Sequence, residues 1–299
     1  MTAAAEFAAN QIRFWGDAER KWEWPADPDT LPVSVVDNHC HLDFAAGPEA
    51  LHPFAALDRA ESVGVGRIVQ VGTDLETSVW SAKFAAIEPR VLAAVALHPN
   101  DAPDVAAQGK LEFQIGELDR LAAQPRVRAI GETGLDYFRT QENGRSAQAA
   151  SFEAHIALAK KHEIALQIHD RDAHDDVVET LLRVGAPAKT VFHCFSGDVE
   201  LARICNDNGW YMSFSGTATF KNAPYLREAF EIADKALVLV ETDSPFLTPE
   251  PVRGRPNAPY LMPHTVRRLA AVADLPVAEM CEIFNRNTEA VYGSWEAGL

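Results

Sequence analysis

From Leu31 onward, short runs of apolar and β-branched residues alternate with longer stretches of a different pattern. The runs are Val33–Val36, Arg67–Val71, Val91–Leu97, Val127–Ile130, Ala165–Ile168, Thr190–Phe192, Trp210–Phe214 and Ala236–Val240. Between them apolar residues fall three and four apart, in Glu49–Val63, Leu75–Ile87, Ala106–Ala122, Arg145–His162, Asp172–Val184, Asp198–Asn208 and Ala223–Ala233. A further such stretch, Met262–Ala273, follows the last run. Three-and-four spacing lines one side of a helix, whereas a continuous apolar strand must be covered on both faces. The alternation therefore predicts parallel strands wrapped by helices. Eight units over about 250 residues fit an α/β fold of the (β/α)8, TIM-barrel type. An open doubly wound sheet is the alternative, but no GxGxxG or GxxxxGK-S/T motif follows any run, which weakens the case for a nucleotide-cofactor fold.

Residues 1–30 stand apart as an N-terminal extension, with the barrel expected over 31–299. The extension is Ala-rich, carries Trp15, Trp22 and Trp24 among charges, and ends in the Pro-rich stretch Pro25–Pro32. Three tryptophans in a free tail would be costly to hydrate, so they are expected to pack on the barrel or on a partner chain.

Composition narrows the class. The chain has 299 residues, of which 47% are hydrophobic and 23% charged, ordinary values for a globular protein with a real core. Its longest uninterrupted apolar run, Val91–Leu97, has seven residues, far short of the ~20 a membrane helix needs. The N-terminus lacks the basic-then-apolar order of a secretory signal. Four cysteines, none in a CxxC pair, make no disulfide framework. Cys40 and Cys194 adjoin histidines but read as small residues filling crowded strand ends. These features point to the cytoplasm, with no membrane association and no obligate protein partner evident. The net charge of −16 argues against gripping a polyanion over a broad surface. It leaves room for a polyanion that meets local positive charge from bound metal ions.

The polar residues that could do chemistry fall just past the C-terminal ends of the strands, where barrels build their active sites. Asp37-Asn38 leads into His39-Cys40-His41, Gly131 into Glu132, Ile168 into His169, Phe192 into His193, and Glu241-Thr242 into Asp243. In extended chain, residues two apart point the same way, so His39 and His41 offer two imidazoles side by side. Four imidazoles with two carboxylates suit divalent cations of the Zn²⁺, Mn²⁺ or Mg²⁺ kind. Two ions are expected, with Glu132 bridging them, His39 and His41 on one, and His169 and His193 on the other. Asp243 would serve as ligand and as the general base toward a water molecule. Asp243 also precedes Ser244-Pro245, a combination that could open a helix.

Other residues rank below these. His98, Arg171, Arg253 and Arg255 are candidates for contacting a phosphate or another substrate oxygen. Asp136 and Tyr137, close behind Glu132, are placed to orient ligands. His155, His162 and His174 lie on helical stretches and read as packing or surface residues. Phe195 and Phe220 could stack on a base, although core packing is the simpler role.

Six ordered blocks carry a resemblance: V-D-N-H-C-H-L-D (36–43), G-E-T-G-L-D-Y (131–137), I-H-D-R-D-A (168–173), H-C-F-S-G (193–197), G-T-A-T-F-K-N-A (216–223) and E-T-D-S-P-F-L-T-P (241–249). Together they resemble the TatD family of metal-dependent deoxyribonucleases, within the amidohydrolase-like barrel superfamily, over about Val33 to Tyr292. The resemblance implies metal ligands at His39, His41, Glu132, His169, His193 and Asp243. It further implies phosphodiester hydrolysis in DNA, typically from a 3′ end, with DNA or RNA as the partner. A hydrolase of a small amide, lactone or phosphoester is the competing expectation, because metal-activated water serves either chemistry. A non-catalytic scaffold would need a decayed ligand set, and all six positions hold competent ligands. One departure stands out: where the family often has Asn-Glu-Pro, this chain has Asn257-Ala258-Pro259. A carboxylated lysine between the metals is not expected, because Glu132 holds that strand-end position.

Overall fold

The computed structural model describes residues 12–15, 22–46 and 51–296. Eight parallel strands form one sheet: β2 (Val35–Cys40), β4 (Val65–Val71), β5 (Val91–Val95), β6 (Val127–Asp136), β7 (Ala165–Arg171), β8 (Thr190–Phe192), β9 (Tyr211–Phe214) and β10 (Val238–Val240), neighbouring in that order. Two short strands, β1 (Arg13–Trp15) and β3 (Phe44–Ala46), pair with each other in parallel at one side. The helices are α1 (Pro53–Ser62), α2 (Leu75–Ile87), α3 (Ala102–Ala107), α4 (Leu111–Ala122), α5 (Glu142–His162), α6 (His174–Val184), α7 (Val199–Asn208), α8 (Pro224–Ile232), α9 (Met262–Val272) and α10 (Val277–Tyr292). The expected (β/α)8 architecture is thus the one observed, as a nearly closed barrel. No described helix is long and apolar enough to cross a membrane.

Alternate residues of the strands enter two apolar layers. Ile68, Val91 and Ala93 point outward to the helices, joining the large core that also holds Phe84, Phe152 and Phe230. Val69, Leu92, Ala94, Ala129, Val191 and Leu239 fill the barrel interior. Tyr292 and Trp295, from the end of α10 and the turn beyond it, plug the interior from the end opposite the catalytic rim of such barrels. α10 was not among the expected elements. It packs against both β2 and β10, covering the side where the ring closes.

That closure differs from the other strand junctions. β2 and β10 are the two ends of the hydrogen-bonded order. Side chains join them instead: the Asn38 amide donates to the Val240 carbonyl at 2.8 Å, and Thr242 donates its N–H (2.9 Å) and hydroxyl (2.5 Å) to Asp37. Asp37 is fully buried, and burial pushes its carboxyl up to about 8 against those bonds. Past the strand ends, the Asp243 N–H donates to the His39 carbonyl and the His41 N–H to that of Ser244.

Several boundaries differ from the expected ones. The stretch Ala106–Ala122 is split at Gly109, whose φ of +68° suits glycine and ends α3. α1 begins at Pro53, while the expected residues 49–50 lie outside the described residues. β6 runs on to Asp136, past the expected end at Ile130. Its register against β7 shifts between Ile130 and Thr133, a bulge centred on Glu132. Two glycines allow it. A Cβ on Gly131 would stand 2.4 Å from the Gln167 Cβ, and one on Gly134, at φ +143°, only 2.1 Å from the His169 carbonyl oxygen.

The N-terminal segment lies along the barrel. Trp24 packs on the main core, with its ring 6.4 Å from that of Tyr260, whose hydroxyl donates to the Pro25 carbonyl at 2.8 Å. Trp22 is half-buried, and the side chain of Trp15 lies outside the described residues. Arg59 binds Asp27, and Arg267 binds the Asp29 carbonyl.

Candidate metal centre

The six residues expected at the site meet at one end of the barrel, where His41, Glu132, His169, His193 and Asp243 line a cavity of about 580 Å³ and His39 lies fully buried beside them. Glu132 stands at their centre and is 5% exposed. Its Oε1 faces His41 Nε2 (3.5 Å) and His39 Nε2 (3.8 Å). Its Oε2 faces His193 Nε2 (2.9 Å), His169 Nδ1 (3.1 Å) and His98 Nε2 (3.6 Å). Asp243 Oδ1 lies 3.5 Å from His41 Nε2 and 3.7 Å from His39 Nε2. One carboxylate therefore has an oxygen turned to each of two nests of imidazoles.

The far side of each ring decides what its near side can do. His39 Nδ1 is 3.0 Å from Gln167 Oε1, and His41 Nδ1 is 2.9 Å from the Val71 carbonyl. Those acceptors require N–H on each Nδ1, so the lone pairs sit on the two Nε2 atoms. The Nε2 atoms are 3.3 Å apart. Two lone pairs at that distance repel unless a cation or a proton lies against them. His193 Nδ1 donates to Glu241 Oε1 (3.3 Å), and His169 Nε2 to Asp136 Oδ2 (3.1 Å). This leaves His193 Nε2 and His169 Nδ1 turned to Glu132. The donor set is therefore nitrogen and oxygen with lone pairs converging, which fits a divalent cation on each side of Glu132.

His98 differs. Its Nδ1 accepts the Asn100 N–H at 3.0 Å, so its proton sits on Nε2, facing the cavity. Burial holds this ring down to about 3, hence neutral at ordinary pH. It presents a hydrogen-bond donor rather than a lone pair, which suits the substrate-oxygen role expected for it.

Charge is distributed accordingly. Burial pushes the Glu132 carboxyl up, but the charge on His193 and the bonds from His169 and His193 outweigh it and hold it well below the carboxylate range. Burial also opposes charge on His193, yet Glu132 and Glu241 overcome it and raise its proton affinity. For His169 burial is likewise outweighed, by Asp136 and Glu132. His39 is held down by burial and by the neighbouring His193, stacked on it at 3.9 Å. A cation entering the site takes the place of such protons.

Other expectations fall into place or apart. Asp136 orients His169, and the hydrogen bonds it receives from His169 and the Arg139 N–H hold it at about 2 against burial. Tyr137 does not orient a ligand: its hydroxyl goes to Asp176 at 2.5 Å. Arg171 lines the cavity. Arg253 lies over the Phe220 ring, and Arg255 binds Glu23 of the N-terminal segment at 2.7 Å, so neither lines it. Phe195 is buried against Phe214, a core role. No helix follows Asp243. It sits at φ +52° in a turn closed by the Phe246 N–H, a strained placement typical of functional positions. His155 is fully buried, His162 pairs with Asp119, and His174 with Asp170. Cys40 is buried, as packing requires, whereas Cys194 lines the cavity.

Gln167 and Glu241 were not foreseen. Gln167 sits on β7 and Glu241 just past the end of β10, each two residues before a site residue, a signal present in Gln167-Ile168-His169 and Glu241-Thr242-Asp243.

Fold and site together define a class, a barrel hydrolase that works with metal ions, and the comparisons with known proteins agree. The family model described as TatD related DNase matches residues 36–293. The chain belongs to the TatD family. It is 41% identical over 263 residues to the uncharacterized metal-dependent hydrolase TatD of Mycobacterium tuberculosis, covering 87% of this chain and 98% of that one. To the uncharacterized metal-dependent hydrolase YabD of Bacillus subtilis it is 35% identical, covering 86% and 98%. Among solved structures, the TatD homologue YJJV of Escherichia coli superposes with a TM-score of 0.77 at 27% identity, covering 87% and 98%.

Proposed function

We propose that this protein hydrolyses phosphodiester bonds of DNA, removing nucleotides from the 3′ end of single strands, with two divalent cations held on either side of Glu132. The observation that carries the reading is the split of the Glu132 oxygens between two sets of imidazole lone pairs. His39, His41 and Asp243 would hold one ion, and His169 and His193 the other, with Glu132 shared. Bound there, the ions supply Lewis-acid stabilisation of phosphoryl charge and a more acidic water.

The chain's own groups supply the rest. Asp243 is the site carboxylate most open to the cavity, at 13% side-chain exposure, and takes a proton from the attacking water. His98 donates from Nε2 to a non-bridging oxygen. Arg171 adds a guanidinium at the cavity wall. Gln167, Glu241 and Asp136 fix the rings of His39, His193 and His169 before substrate arrives. The negative charge of the chain is no obstacle, since the phosphate meets fixed donors and metal in a cleft rather than a broad surface.

The test is cleavage of 3′- and 5′-labelled single-stranded oligonucleotides with EDTA, Mg²⁺, Mn²⁺ or Zn²⁺, beside Asp243→Asn. Shortening that needs metal, proceeds from the 3′ end and drops at least ~100-fold in the variant supports the reading. No cleavage by protein that binds metal by elemental analysis refutes it, in favour of a small amide, lactone or phosphoester substrate.

A further inference from the structure

The floor of the cleft is imidazole and carboxylate, but its rim is built differently. The chain leaving β6 passes from Asp136, which holds His169, to Phe138 and Arg139. Phe138 is 61% exposed, an unusual setting for a phenyl ring that nothing obliges to face water. The Arg171 guanidinium, from the end of β7, lies over it, with Cζ 4.0 Å from the ring centroid. Arg171 and Arg139 both line the cleft. Among the described residues neither has a carboxylate partner, in contrast to Arg59, Arg90, Arg183 and Arg255. Across the cleft Tyr225, in the first turn of α8, is 42% exposed and also lines it. The exposed aromatic side chains among the described residues are Phe113, Phe138 and Tyr225; Tyr225 lines the cleft, and Phe138 adjoins it through Arg171, which also lines it.

Taking the nuclease reading as its basis, we infer that Phe138 and Arg171 form a stacking platform for the nucleobase next to the scissile phosphate. Every base has a π face, and aromatic rings or guanidinium planes receive it without reading sequence. Arg171 over Phe138 offers such a plane together with N–H groups for a phosphate oxygen. The platform is anchored to the metal centre, because Asp136 accepts both the His169 ring N–H (3.1 Å) and the Arg139 backbone N–H (2.8 Å). A base inside a duplex is already stacked on its neighbours. The platform therefore selects unpaired ends, and a small phosphodiester with no base gains nothing from it. The substrate class is a single-stranded polynucleotide of any sequence.

The test pairs Phe138→Ala with loss of the base itself. Wild-type protein, Phe138→Ala, Phe138→Tyr and the remote control Phe113→Ala are assayed on intact oligonucleotides and on ones with an abasic residue at each of the last three positions. In the wild type, an abasic residue at one position raises KM by about 5- to 100-fold with kcat within about twofold. Phe138→Ala raises KM for the intact strand by a similar factor, adds nothing on that abasic strand, and Phe138→Tyr restores the wild-type value. Phe113→Ala matches the wild type on every strand. Equal KM changes on intact and abasic strands, or none, overturn the platform while leaving the nuclease standing. A wild type that cuts no oligonucleotide overturns both.

Discussion

Replacing Gln167 by leucine tests whether ring orientation, and not merely ligand identity, makes this site. Gln167 is fully buried. Its Oε1 accepts from His39 Nδ1 at 3.0 Å, while its Nε2 donates to the Asn38 carbonyl (2.9 Å) and the Tyr292 hydroxyl (2.7 Å). Leucine has similar bulk and none of these bonds. Without the acceptor, His39 no longer has a fixed tautomer, and its Nε2 lone pair faces the site only part of the time. Removing such an outer partner lowers metal affinity by about 10- to 100-fold, or roughly 1.4–2.7 kcal/mol. Three hydrogen bonds at about 1 kcal/mol each add a folding cost near 3 kcal/mol. Gln167→Glu separates the two effects. It keeps the oxygen toward His39 and sacrifices the two donated bonds, so it should be destabilised yet bind metal near the wild-type level. Competition against a fluorescent chelator gives affinity, and urea unfolding gives stability. A folded Gln167→Leu protein with unchanged metal affinity would refute the tautomer argument.

Two further outcomes follow from the same geometry. Gly134→Ala would set a Cβ 2.1 Å from the His169 carbonyl at φ +143°, so a loss of about 2–5 kcal/mol is expected in urea unfolding. A loss under about 1 kcal/mol would show that β6 and β7 can part there at little cost. His155 accepts the Leu97 N–H on Nε2 and donates from Nδ1 to the Ser151 carbonyl, and burial lowers it to about 4 from 6.5. The folded state thus binds this proton more weakly than the unfolded one. Its contribution is intact above about pH 6.5 and is lost as pH falls toward 4, about 3 kcal/mol in all. His155→Gln can keep both bonds without titrating, so its stability should fall less over that window. Parallel slopes for the two proteins would contradict the assignment.

Much of this was legible in the chain, for identifiable reasons. Strands covered on both faces must be apolar throughout, so the eight runs stood out. The position of His39, Glu132, His169, His193 and Asp243 just past them needed only the rule that barrels work at that rim. What stayed hidden depends on neighbours remote in sequence. Nothing in G-E-T-G tells a reader that Gln167 and His169 pass so close that both glycines are needed. Arg255 looked like a phosphate ligand until Glu23, 232 positions away, was seen to hold it. Phe195 and Phe138 are both aromatic residues beside the rim, and only burial separates the core residue from the exposed one. The break at Gly109 was readable as glycine chemistry, but a helix tolerates one glycine about as often as it ends there.

The seam between β2 and β10 gives the metal centre a second meaning. Every other junction of the ring is laced by a backbone ladder, whereas this one is held by bonds to the Asp37 and Asn38 side chains and by two backbone bonds past the strand ends. His39 and His41 stand on one lip of that seam and Asp243 on the other. An ion gripped by all three would act as a clasp, and the ring would come undone first where it is empty. Amide exchange of the stretches around Val36 and Val240 should then slow on metal loading more than that of β6 or β7. The protein would carry, in the breathing of its own hoop, a record of whether it is armed.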